Sequence, residues 1–152
     1  MIALRDARPD ELDALSDLCM RSKAVWGYDA AFMAACRNEL TLTTADLATS
    51  LQVATDHDAL IGVAQMEVDG DMAHLLKLFV APDRLRDRIG TRLLAWSMEM
   101  ASALGACRLV IQADPGAVAF YRRHGARPAG SAPSGSIPGR MLPRLMIELA
   151  PR

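Results

Sequence analysis

The stretch from Met72 to Leu94, MAHLLKLFVAPDRLRDRIGTRLL, constrains the chain more than any other. Leu75 to Val80 read as an apolar strand and Ala81-Pro82-Asp83 as a turn. A helix opens near Ile89-Gly90 and continues through Leu93 and Leu94, with Arg84, Arg86 and Arg88 between strand and helix. The first-turn N–H groups of a helix lack intrahelical partners and its dipole is positive at that end, so this order of elements suits phosphate or pyrophosphate. An ordinary β–α connection with solvated arginines has the same local sequence, so the rest of the chain must decide.

Its 152 residues predict a single domain, 1–152, able to bury about 70% of the surface that the unfolded chain exposes. A net charge of −1 argues against a general nucleic-acid binder and makes the arginine cluster a local feature, fit for a small anion. No apolar run approaches the ~18 residues of a membrane span, and the N-terminus lacks the apolar region of a signal peptide. Cys19, Cys36 and Cys107 are odd in number, widely spaced and form no CxxC pair. Buried thiols in a reducing cytoplasm are the expectation. No spacing of metal ligands stands out, and none is expected.

Ile2 to Arg5 form a short first strand. Pro9, Asp10 and Glu11 suit the first turn of a helix whose inner face carries Leu12, Leu15, Leu18 and Cys19, and which runs out near Trp26-Gly27-Tyr28. Asp29 caps a second helix with Phe32, Met33, Cys36 and Leu40 at helical spacing, and a short helical turn follows at 45–49. Segments 50–55, 60–68 and 72–80 read as three successive strands joined by turns at Asp56-His57-Asp58 and Asp69-Gly70. In the middle one Ile61, Val63, Gln65 and Glu67 share a face, opposite Gly62, Ala64, Met66 and Val68. Helix 89–104 turns Leu93, Leu94, Ser97, Ala101 and Leu104 inward, with Gly105 as its stop. Cys107 to Gln112 read as a strand covered on both faces. Asp114-Pro115 open another helix that Gly125 closes. A further strand at 127–131, a turn-rich loop at 132–140 and a last strand at 141–149 complete the chain. Pro143 predicts an edge position or a bulge for that last strand.

Two segments resemble the GNAT superfamily of acetyl-CoA-dependent N-acetyltransferases, and the order of elements agrees over essentially the whole chain. One is Leu78-Phe79-Val80-Ala81-Pro82 followed by Ile89-Gly90-x-x-Leu93-Leu94; the other is Asp114-Pro115-Gly116-Ala117-x-x-Phe120-Tyr121-x-x-x-Gly125, similar to the family's NAxxFYxxxGF. The resemblance implies an α/β fold with a mixed, mostly antiparallel central sheet of six to seven strands flanked by about four helices. The family's phosphate loop, Q/R-x-x-G-x-G/A, falls on Leu85, Arg88 and Gly90, so only its last glycine survives. Arg88 either hinders close approach of backbone to a pyrophosphate or replaces a lost amide contact with a charge-assisted bond.

The resemblance further implies direct, ternary-complex transfer of an acetyl group from acetyl-CoA to a primary amine of a small molecule or peptide. A lysine-like amine of pKa about 10.4 has about one part in two thousand as free base at pH 7, equivalent to roughly 4–5 kcal/mol, so a base is useful. His74 is the first candidate, because it stands where the family often places one, and Glu67 on the neighbouring strand is the reserve. Tyr121 matches the usual general acid. Backbone from Leu78 through Phe79 to Val80 would hold the cofactor's amides and the developing oxyanion. Leu85, Arg86, Asp87, Arg88, Ile89, Gly90, Thr91 and Arg92, helped by Arg84, would surround the pyrophosphate, with Gly116 and Phe120 completing the cofactor site. Trp26, Tyr28, Lys77, Ser134 and Ser136 lie where the family builds its acceptor walls. Homodimers are frequent in the family. A non-catalytic acyl-CoA sensor with a drifted phosphate loop is the alternative.

Overall fold

The computed structural model describes residues 1–150. Seven strands form one sheet: β1 (Ile2–Asp6), β2 (Ser50–Asp56), β3 (Ala59–Asp69), β4 (Met72–Val80), β5 (Arg108–Gln112), β6 (Arg127–Pro133) and β7 (Met141–Glu148). Their order is β1-β2-β3-β4-β5-β7-β6, and every neighbouring pair is antiparallel except β4 with β5. The helices are α1 (Leu12–Ala24), α2 (Ala30–Leu40), α3 (Ile89–Ala103) and α4 (Val118–Arg123). The mixed seven-stranded sheet and four helices agree with the expected fold. None of the described helices is long and apolar enough to cross a membrane.

Local chemistry explains the starts of these helices. The Glu11 carboxylate accepts the Arg8 N–H at 2.8 Å and takes both ends of the Arg5 guanidinium at 2.6 and 2.9 Å, fixing the turn before α1 to β1. Asp29 accepts the Phe32 N–H at 2.8 Å and caps α2. Leu12, Leu15, Leu18 and Cys19 of α1 meet Cys36 and Leu40 of α2 over Val53 and Val63 of the sheet. On the other face α3 buries Ile89, Leu93, Leu94, Ser97 and Ala101. Leu104, expected inward, is the C-cap of α3 and is 54% exposed, because the helix ends before its stripe returns to the sheet.

Two strand irregularities shape the sheet. Thr55 faces Leu60 and Ala54 faces Gly62, so Ile61 is an extra residue. It packs with Ala54, Ala64, Ile89 and Leu93 on the α3 face rather than with Val63. Gln65 faces Lys77 while Met66 faces Leu75, leaving Leu76 as the extra residue of β4. At the far end β7 lies inside the sheet, between β5 and β6, so Pro143 is not on an edge. Its carbonyl accepts the Ala113 N–H at 2.9 Å just past the end of β5, and since N and O of a strand residue share a side, the missing donor faces the place where that ladder has stopped.

Two positions give measurable consequences. A methyl at Gly62 would sit 2.8 Å from Leu93 Cδ1 and 2.9 Å from Ile89 Cγ2, both buried. Gly62→Ala is therefore expected to cost about 1–3 kcal/mol and lower the melting temperature by roughly 2–4 °C per kcal/mol. Arg88, the N-cap of α3, holds φ at 59°, a left-handed conformation that penalises a side chain. Arg88→Gly is expected to stabilise by about 0.5–1 kcal/mol, a shift of opposite sign in the same thermal melt.

Candidate active site

β4 and β5 pair only from Met72 with Arg108 to Leu75 with Ile111. Beyond that point β5 stays with β7, while β4, turned by its bulge, follows β3 up to Val80 opposite Gly62. The sheet forks there. Among the described residues, positions 76–80 of β4 have no strand partner on the fork side, which leaves backbone donors and acceptors facing the gap.

A cleft of about 730 Å³ opens on one side of the fork. Leu78 and Val80 of β4 form its floor, with Leu85, Arg86 and Arg88 of the loop, Gly90 and Thr91 of α3, and Phe120, Tyr121, Arg123 and His124 around α4. Three arginines and no carboxylate line it, and the positive end of α3 opens beside them. An anionic ligand is the natural guest. His124 Nδ1 lies 2.8 Å from the Phe120 carbonyl, which only accepts, so that nitrogen carries the proton; Nε2 faces the Thr91 hydroxyl at 3.2 Å.

A smaller cavity of about 110 Å³ lies across the fork and shares Leu78, Ala117 and Tyr121 with the cleft. Tyr121 is buried, and among the described residues no protein group bonds its hydroxyl. Burial, and then the charge of Asp114, push its pKa above the usual phenol value. The smaller cavity carries Lys23, Lys77, Glu39, Asp114, Ser134, Ser136 and Arg140. Asp114 draws several of these together. Its Oδ1 accepts the Gly116 N–H at 3.0 Å, and its Oδ2 accepts the Tyr28 hydroxyl at 2.6 Å and the Lys23 ammonium at 3.4 Å. Arg140 donates to Tyr28 Oη at 2.8 Å and stacks over Phe32, which stacks on Tyr28. Lys77 donates to Gln65 Oε1 at 3.1 Å; the Gln65 amide in turn donates to Asp46 at 2.9 Å and Thr49 at 3.1 Å.

Measured against the sequence reading, Leu78, Val80, Leu85, Arg86, Arg88, Gly90, Thr91, Gly116, Phe120 and Tyr121 come together around the cleft. Phe79 points into the smaller cavity, on the opposite face of β4. Ile89 is core, and Arg92 donates to the Ile2 carbonyl at 3.1 Å. Arg84 lines neither cavity: its guanidinium is held by Asp56 and Asp87, each at 2.7 Å, which also occupies Asp87. The N-terminal ammonium, and after it the same Arg84, hold the Asp56 carboxyl down at about 2.

His74 and Glu67 face each other in the closed part of the sheet, before the fork, and line neither cavity. Lys77, Ser134 and Ser136 line the smaller cavity and Tyr28 braces it, but Trp26 stands over the cleft instead. The indole lies against Gly116, where a Cβ would come within 2.7 Å of the ring. Ser22, Arg123 and His124 complete the cleft without having been anticipated. Their signal was helical spacing: Ser22 is one turn before Trp26, and Arg123 and His124 are one turn after Phe120.

A family model for the acetyltransferase (GNAT) domain matches residues 11–133. No curated protein matches the sequence. Among solved structures, the PaiA N-acetyltransferase of Thermoplasma acidophilum, determined with coenzyme A, superposes with a TM-score of 0.77 at 17% identity, covering 97% of this chain and 99% of that one. A GCN5-related N-acetyltransferase from Rhodopseudomonas palustris gives 0.79 at 22% identity, covering 97% and 95%. The ribosomal-protein-S18-alanine N-acetyltransferase of Escherichia coli gives 0.72 at 18% identity, covering 99% and 95%. These likenesses establish a shared fold. The family match runs from the turn before α1 to the end of β6 and so takes in both walls of the fork, and the chain belongs to the acetyltransferase (GNAT) family.

Proposed function

We propose that the protein is an acetyl-CoA-dependent N-acetyltransferase that acetylates a primary amine of a small molecule or peptide within a ternary complex. One observation carries the reading: an arginine-lined cleft without carboxylates meets a second cavity at a buried tyrosine. Arg86, Arg88 and Arg123 suit the diphosphate and phosphate groups of coenzyme A, and the open edge of β4 suits its amides. Bound acetyl-CoA supplies an activated acyl thioester.

The protein's own groups then have separate tasks. Unpaired backbone of Leu78 to Val80 is available to hold the carbonyl oxygen as negative charge grows on it. The acceptor nitrogen forms its bond to the acyl carbon from the smaller cavity, and its surplus proton passes to solvent. As the carbon–sulfur bond breaks, Tyr121 gives its proton to the departing sulfur and regains one from solvent. Its raised pKa fits this task, because the hydroxyl remains protonated until it is needed. His74 and Glu67 have no part in this scheme, since neither reaches a cavity.

The first test is thermal. Acetyl-CoA at 100-fold above Kd is expected to add about 2.7 kcal/mol, or roughly 5–10 °C in melting temperature; no shift at millimolar ligand rejects the proposal. A shift without thiol release across an amine panel would favour the non-catalytic sensor. Tyr121→Phe is expected to lower kcat by about 10²- to 10⁴-fold while leaving the Kd of acetyl-CoA nearly unchanged. Because folding raises the Tyr121 pKa, its acid form persists upward in pH: the wild-type kcat profile is expected to show no alkaline loss from Tyr121 at or below pH of about 10, the ordinary phenol value.

A further inference from the structure

We infer that the acceptor is a compact amine bearing a carboxylate, of amino-acid type, with its carboxylate on Lys77 and Arg140 and its amine turned toward Tyr121. This deepens the acetyltransferase reading and rests on it. The smaller cavity holds three cations, Lys23, Lys77 and Arg140, against two carboxylates. Of the two, Glu39 is exposed and accepts the hydroxyl of Ser136, and Asp114 is taken up by its neighbours. Asp114 serves the Tyr28 hydroxyl at 2.6 Å, Lys23 at 3.4 Å and Arg140 at 3.9 Å.

Lys77 touches no carboxylate. Among the described residues none lies within 4.0 Å of its ammonium, and its one side-chain bond, to the neutral Gln65 amide oxygen, uses one of three N–H donors. Asp46 attracts it only from behind the Gln65 amide, so this half-buried ammonium has donors left for a ligand carboxylate in direct contact. Arg140 likewise spends one nitrogen on the Tyr28 hydroxyl and stands 3.9 Å from Asp114, which leaves its planar fork able to take a carboxylate.

The same charges select against other amines. A polyamine would bring further positive charge among three cations, with Asp114 already serving Lys23 and Arg140 and only the exposed Glu39 free to meet it. For an amine whose own carboxylate is bound, the neighbouring cations lower the amine pKa and enlarge the fraction of free base. That removes part of the need for a dedicated base, which neither His74 nor Glu67 supplies. The volume of about 110 Å³ suits an amino acid rather than a folded protein segment.

The test compares kcat/KM for the common amino acids, β-alanine and γ-aminobutyrate with their primary carboxamides and with spermidine, using full-length protein and acetyl-CoA. At least one amino acid is expected to exceed its carboxamide and spermidine by about tenfold or more. Lys77→Met, which keeps the apolar stem, is expected to reduce that ratio toward one, chiefly through KM; Arg140→Gln gives the same readout if the first variant does not fold. Equal rates for acid and amide, preference for spermidine, or a blank across all the amino acids while acetyl-CoA still raises the melting temperature each overturn the carboxylate assignment and leave acetyl-CoA binding standing. Loss of that thermal shift instead overturns the reading beneath it.

Discussion

The parting of β4 from β5 after four residue pairs is the constraint on which everything else depends. A continuous parallel ladder would bury every backbone group of both strands and leave no opening. The extra residue Leu76 breaks the pleat of β4 where the two strands part company. Before it, Ala73 and Leu75 face α3; after it, Leu78 and Val80 do, while Lys77 and Phe79 turn to the α1–α2 face. One inserted residue thus creates an unpaired backbone edge and sends alternate side chains into two different cavities.

Charge is then sorted between those cavities by local pairing. Arg84 and Arg86 are two residues apart in the same loop, yet Asp56 and Asp87 neutralise the first and leave the second at the cleft. Tyr121 sits where both spaces meet, and its burial raises the phenol pKa. Across the fork Asp114 unites the ends of three remote segments through Lys23, Tyr28 and Arg140. This wall of the smaller cavity is consequently held by polar bonds among residues far apart in the chain.

Features governed by neighbouring residues could be read from the sequence. The Asp29 cap, the Asp69-Gly70 hairpin, the Asp114-Pro115 opening and the apolar strand before the arginines all depend on interactions within a few positions. The bulges at Ile61 and Leu76 could not be read so, because an extra residue changes strand register without changing strand composition. His74 illustrates the cost: counting back from Val80 puts it at the expected place, but the fork opens only after it. Arg84 was unreadable for another reason, since its partner Asp56 is 28 residues away and only the folded β2–β3 turn brings them together. Lys77 was legible as a charge near the site; its lack of a carboxylate partner was not.

The meeting of Trp26 with Gly116 has a wider consequence. Gly116 presents only a hydrogen, and an indole from ninety positions upstream fills the space a side chain would take. The two positions are therefore sterically coupled: a side chain at 116 requires the aromatic at 26 to shrink or swing away. The breadth of the cleft's mouth is thus fixed by the pair and not by either residue alone.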